Sequence, residues 1–228
     1  PASAPPPPGG RPPGADLGPI SECFQGQLRS ALTCSVCGFT SQTQEDFFHL
    51  SVTVSPTDEV PLEALLAGEF AAEDLRGADQ WHCERCAQHV DAKKTISLRR
   101  LPQAVVLHLK RFAFTPSGAI RKVRTPVPLA EEAPCGLDGL DLGLYADGSC
   151  QLAETRRALY DVVSIINHHG RDAMCGHYTA HCRHCVDGQW YAFNDDSVTA
   201  IEGKEVWLPG EAYIVLLVRQ ELDWHRAE

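Results

Sequence analysis

Two Cys-x-x-Cys pairs, Cys34/Cys37 and Cys83/Cys86, constrain this chain more than any other feature. Each sits between short extended runs, so each reads as a tight turn joining two strands. A turn of this kind aims two thiolates at one point. The pairs are separated by 45 residues, and two such turns on neighbouring hairpins supply the tetrahedral four-sulfur set that Zn²⁺ accepts. Gly38, directly after the first pair, suits the sharp backbone turn. With all four positions filled by protein, the metal would be structural rather than catalytic. Unrelated buried thiols would not be expected to repeat the spacing in extended context twice. His82 and His89 could replace a cysteine ligand, but both are expected to be exposed. A third pair, Cys182/Cys185, lies in a strand, where an odd separation points the two thiols to opposite faces. Cys182 is therefore expected as a core thiol and Cys185 as a residue near a hairpin turn.

The remaining composition narrows the class. Lys and Arg total 20 against 30 Asp and Glu, a formal charge of −10, which argues against a nucleic-acid partner. Hydrophobic residues make up 43% of the 228, enough for a core. No apolar run approaches the roughly 20 residues of a bilayer helix, so no membrane span is expected. The first residues show neither a basic nor an apolar signal segment. Ten cysteines without such a signal point to a reducing compartment, cytoplasmic and/or nuclear.

Residues 1–19 read as a disordered linker: the first 20 positions hold eight of the sixteen prolines and four glycines. Linkers join ordered parts, so this chain is expected to continue a longer one. Folded sequence is expected over 20–220 and a short tail over 221–228. Within 56–79, Leu62, Leu65, Leu66 and Phe70 recur at helical spacing. KKTISLRRLPQAVVLHLKRF reads as two strands broken at Pro102. Residues 115–158 mix Pro, Gly and acidic residues without a period and read as a flexible surface insertion. The chain closes on four strands, YDVVSIINHHG, GHYTAHCRH, QWYAFNDDSV and AYIVLLVRQ, the middle two joined at a hairpin through Asp187-Gly188.

That hairpin carries the chemistry. His177 opens one strand, and sixteen residues later the next strand reaches Phe193-Asn194-Asp195-Asp196. Antiparallel pairing brings these ends together, so a side-chain amide or carboxylate can fix the imidazole tautomer and leave the other ring nitrogen as a base.

Taken in order, TCSVC, WHCERC, LPQAVVLHLKRF, YDVVSIINHHG and GHYTAHCRHCVDGQWYAFNDDSV resemble the ubiquitin-specific protease family of deubiquitinating enzymes. The resemblance covers Ile20 to Arg219, apart from the loop near 130–158. It implies an α+β, papain-like cysteine protease fold: a mostly antiparallel palm sheet (about 101–220) and zinc-ribbon fingers (about 24–100), with the thumb lacking. It implies His177 as general base, Asn194 as the residue that orients it and Asp195 as an assisting polar group. Cys34, Cys37, Cys83 and Cys86 match the family's structural zinc ligands. Tyr178 and the residues before His177 match the surroundings of the ubiquitin tail. Ubiquitin and ubiquitinated proteins are the implied partners.

One departure matters. The family's nucleophile lies in a Gly-Asn-Thr-Cys-type box, and this chain has none. Cys23 is not preceded by Asn-Thr, and Cys175 is two residues from His177 on the same turn, so neither is expected to serve. The chain is therefore expected to be the C-terminal part of a thiol-dependent deubiquitinase core, inactive alone, with its nucleophile on sequence outside these 228 residues. The alternative is a catalytically inactive ubiquitin-binding or scaffold protein that has lost its Cys box; a zinc-ribbon nucleic-acid binder lacks the basic, aromatic face it would need.

Overall fold

The computed structural model describes residues 18–114, 118, 120–129, 137–150, 157–172 and 175–220. The tail 221–228 and all of the expected linker except Gly18 and Pro19 lie outside them. A short helix α1 (Gly18–Phe24) leads into strands β1 (Gly26–Cys34) and β2 (Thr40–Phe47), an antiparallel hairpin with Cys34 and Cys37 at its tip. Next come β3 (Leu50–Thr53), helix α2 (Leu62–Glu69) and β4 (Glu73–Leu75). Strands β5 (Trp81–Cys83) and β6 (Gln88–Val90) form a second small hairpin, with Cys86 in its turn. Strand β7 (Ala92–Arg100) then returns along β1, in register from Cys34 opposite Ala92 to Leu28 opposite Leu98. The fingers sheet has the order β2-β1-β7-β4.

The second sheet begins with β8 (Ala104–Lys110), after the break at Pro102. Strands β9 (Phe112–Phe114) and β10 (Ile120–Lys122) pair separately, and β11 (Leu140–Asp141) pairs the start of β12 (Leu159–Gly170). Strands β13 (Gly176–Arg183), β14 (Trp190–Asn194), β15 (Ser197–Ile201) and β16 (Ala212–Arg219) complete it. The order is β15-β14-β13-β12-β16-β8-β3, antiparallel except where β3 meets β8. The centre is apolar because Val105, Leu107 and Leu109 of β8 and Val215 and Leu217 of β16 alternate inward, while a bulge in β12 lets Val162 and Ile165 both be buried. Leu62 and Leu66 of α2 join the same core, as their four-residue spacing on one helix face requires.

A charged residue is fully buried within this apolar mass. Arg111 donates from Nε to the Ala212 carbonyl (2.6 Å), from one terminal nitrogen to Pro209 (2.6 Å), and from the other to Thr125 (3.0 Å) and Val123 (3.2 Å). Burial lowers its pKa to about 10, opposed by Glu211, so it stays cationic at neutral pH. One guanidinium thus binds four carbonyls on two chain segments, 123–125 and 209–212.

Of the stretch 115–158, residues 115–117, 119, 130–136 and 151–156 lie outside the described residues. Among its described residues Lys122, Val127, Leu137 and Leu142 are buried, and Asp147 pairs with Arg29 of the fingers at 3.1 Å. Single apolar residues at irregular spacing anchor it, and a period search cannot register such a pattern. No described helix is long and apolar enough to cross a membrane.

Replacing Arg111 with Met keeps the volume but removes a donor from four carbonyls, of which Pro209 keeps the Val127 amide. Urea denaturation should show a loss of about 3 kcal/mol or more. A loss under about 1 kcal/mol would show that the carbonyls find other partners.

Candidate active site and cysteine cluster

Strand β13 is paired on both sides, and this fixes His177. On one side His177 lies opposite His169 of β12; on the other, Ala180 to Arg183 pair with Phe193 to Trp190 of β14. Beyond that register β14 turns back into β15 through Asp195 and Asp196, with Asn194 opposite Ser197. Asp195 adopts a left-handed φ of 52°, which Asp tolerates better than most residues and a two-residue hairpin needs. Asn194 thus stands at the strand end facing His177, and its Oδ1 lies 2.6 Å from His177 Nε2. Since Oδ1 only accepts, Nε2 carries the hydrogen and donates it, leaving Nδ1 with a free lone pair. Asp195 Oδ2 is 3.9 Å from the same nitrogen, beyond hydrogen-bonding range. The His177 side chain is 47% exposed, so the base faces solvent.

On the face of β13 away from His177, His168 forms a floor under the strand. A Cβ on Gly176 would fall 2.1 Å from His168 Nε2, so glycine is the residue that lets β13 pass over the ring. The ring is buried beside Tyr178 (4.9 Å), Phe112 (5.2 Å) and Tyr213 (6.5 Å). Burial, aided by the Lys122 charge, holds its pKa below the usual histidine value and keeps it neutral. Its backbone is clamped as well: the amide donates to the Glu211 carbonyl at 2.9 Å and the carbonyl accepts from Lys122 Nζ.

The four paired cysteines converge at the fingertip, with all four Sγ atoms within 4.8 Å of one another. Cys34 and Cys86 sulfurs are 3.8 Å apart, and Cys37 and Cys83 sulfurs 3.7 Å. A Zn–S bond of about 2.3 Å places tetrahedral sulfurs about 3.8 Å apart, so the set has the right size. The amides of Val36 and Cys37 point at Cys34 Sγ, and that of Cys86 at Cys83 Sγ, each at 3.4 Å. These amides favour thiolate: the Cys37 N–H chiefly draws the Cys34 pKa down to about 6. Its neighbour Cys86, hydrogen-bonded to Cys37, is pushed up to about 12. The contrast is that of thiols too close to ionise together without a cation. Both knuckles end on a left-handed residue, Gly38 (φ 70°) and Ala87 (φ 54°).

The Ubiquitin carboxyl-terminal hydrolase family profile matches residues 13–216. The chain belongs to that family. It is 36% identical over 199 residues to rat Ubiquitin carboxyl-terminal hydrolase 2, covering 86% of this chain and 30% of the relative. The chicken protein of that name is 35% identical, with 86% and 52% covered. The chain thus spans about a third to a half of these relatives' length. Among solved structures, the SAGA Ubp8/Sgf11/Sus1/Sgf73 DUB module bound to ubiquitin aldehyde superposes with a TM-score of 0.71 at 27% identity, over 88% of this chain and 42% of that one. A module of the same composition bound to monoubiquitin gives 0.72 at 29%, with the same coverage. The α+β palm and zinc-ribbon-like fingers are those of a ubiquitin-specific protease.

Within this family fold, the described cysteines outside the fingertip are dispersed. Cys23 lies on α1, Cys150 follows the fingers contact of Asp147, and Cys182 meets Ser164 Oγ at 3.2 Å on the palm sheet. Cys185 is exposed in the β13–β14 turn, and His82 and His89 are exposed beside the second knuckle. Among the described residues no cysteine hydrogen-bonds His177, whose contacts are Asn194 and Asp195. The buried His168 behind β13 was not among the expected site residues. The only sequence signal was a strand ending in two consecutive histidines, and burial across four elements cannot be read from that.

Gly176→Ala should cost about 1–3 kcal/mol in denaturant unfolding, because neither His168 nor the strand can yield. Wild-type stability would show that the ring swings aside.

Proposed function

We propose that this chain forms the fingers and palm of a thiol-dependent deubiquitinase, removing ubiquitin from protein conjugates, with the nucleophilic cysteine on sequence outside these 228 residues. The observation that carries the reading is the exposed His177 held by Asn194 at 2.6 Å through Nε2. It leaves Nδ1 to take the thiol proton. The thiolate then attacks the carbonyl carbon of ubiquitin's terminal glycine, and the protonated ring returns the proton to the departing lysine amine. The C–N bond breaks, a thioester forms, and water deprotonated by the same ring hydrolyses it. Asn194 keeps the ring aligned throughout, while Asp195 supports the imidazolium that forms in each half. The partners in this reading are ubiquitin and ubiquitinated proteins, and a charge of −10 suits a basic tail on the substrate. The compartment in this reading is reducing, cytoplasmic and/or nuclear, in keeping with ten cysteines.

Cys34, Cys37, Cys83 and Cys86 hold Zn²⁺ in the same proposal. Bound there, the metal supplies structure alone, because four thiolates leave no open position. Metal content by mass spectrometry should give one zinc per chain, lost in Cys34→Ser. Chelation should speed amide exchange over 34–39 and 81–90 while β12 and β16 stay protected. Unchanged exchange at the fingertip would refute the structural role.

The functional test uses the full-length protein and a ubiquitin conjugate. His177→Ala should abolish ubiquitin release, and Asn194→Ala should lower kcat/KM about 100-fold or more with ubiquitin binding retained. Release that survives His177→Ala sinks the assignment; ubiquitin binding with no wild-type turnover would favour the scaffold reading.

A further inference from the structure

One cavity of about 540 Å³ at the palm edge runs against the charge of the whole chain. Arg121 and Lys122 of β10, Arg124 just beyond it and Arg171 just after β12 line it, with Pro56 and Ala113 as apolar walls. Three exposed arginines thus share one cavity, with the buried Lys122 behind them, in a chain whose formal charge is −10. We propose that this cavity binds a phosphate monoester or a comparable doubly charged oxyanion. The proposal does not rest on the hydrolase reading.

Three observations carry it. The charge is not neutralised locally: Glu211 is the only carboxylate ion-paired with the four among the described residues, and it is shared by Lys122 and Arg124 at 2.5 and 3.6 Å. Arg121 and Arg171 form no ion pair among the described residues, and both are exposed. Asp172, next to Arg171, accepts the Cys175 amide at 3.0 Å. Like charges held this close repel unless an anion joins them, and the cavity's mouth offers guanidinium forks, the geometry that grips phosphate oxygens in pairs.

The wall is also fixed beforehand. The carbonyls of Val123 and Thr125 are held by buried Arg111, and Lys122 is held by the His168 carbonyl and Glu211. The strand that presents Arg121 and Arg124 therefore loses little freedom on binding, which favours affinity. The site is also adjacent to the chemistry. Arg171 begins the connection from β12 to β13, six residues before His177, and Lys122 touches the backbone of the His168 floor. An anion bridging Arg121 to Arg171 would tie the β9–β10 hairpin to the turn that leads into His177.

The oxyanion can come free in solution or on a phosphorylated polypeptide. Calorimetry on this chain, at constant ionic strength, would titrate inorganic phosphate, a phosphoserine peptide and its unphosphorylated twin. Phosphate and phosphopeptide should bind and the twin should not; equal affinities indicate a free anion, and a tighter phosphopeptide a polypeptide source. The double variant Arg121→Gln/Arg171→Gln should bind at least about tenfold more weakly with its unliganded melting temperature unchanged. Arg76→Gln, a distant exposed arginine paired with Asp74, should bind as wild type. Absence of binding, or an equal loss in Arg76→Gln, overturns the proposal.

Discussion

The double pairing of β13 is the constraint on which the site depends. A strand held on both sides cannot slip by one residue without turning every side chain to the opposite face. Its pairing with β12 sets His177 opposite His169, and its pairing with β14 delivers Asn194 to the ring. Each neighbour is in turn tied deeper: β12 pairs β16 along most of its length, and β16 pairs β8. An exposed hydrogen bond between two surface side chains would be worth little by itself. Here the backbone has already fixed both partners, so the bond costs little ordering and can set a tautomer.

The fingers obey a different physics. Their tip buries only Cys34, Cys83 and Val90, with Phe39 stacked on Trp81 alongside, against more than twenty buried residues in the palm core. So few apolar groups cannot offset the chain entropy of two hairpins. A bound dication with four thiolates can, because metal–ligand free energy becomes folding free energy where no core exists. The palm, built on long apolar strands, needs no such help. It does bury the charges of Arg111 and Lys122, and at Arg111 that burial is offset by hydrogen bonds to four carbonyls.

What was legible in the sequence was local. The two knuckles, the break at Pro102 and the hairpin at Asp187-Gly188 are written in neighbouring residues, and Gly188 does take a left-handed φ of 73°. From that hairpin alone His177 and Asn194 could be brought together. What was not legible depends on contacts across the chain. QWYAFNDDSV reads as one strand, yet Asp195 turns it into β14 and β15, because Asn-Asp-Asp-Ser is turn chemistry inside an otherwise extended run. The helical spacing from Leu62 to Phe70 holds only to Glu69; residues 73–75 become a strand whose Glu73 and Asp74 face Lys94 and Lys93 of β7. Ala87 occupies the left-handed position that glycine fills in the first knuckle, so residue type concealed that symmetry. The burial of Lys122 and His168 had no sequence signature at all.

The central claim is that His177 is held with its proton on Nε2 and its lone pair on Nδ1. Long-range ¹H–¹⁵N correlation spectra of histidine-labelled protein at pH 8 read this directly, with His177→Ala assigning the ring. The account predicts a protonated Nε2 and an unprotonated Nδ1, with the preference relaxing to a tautomer mixture in Asn194→Ala. A proton on Nδ1 in the wild type, or a mixture unchanged by Asn194→Ala, would contradict it.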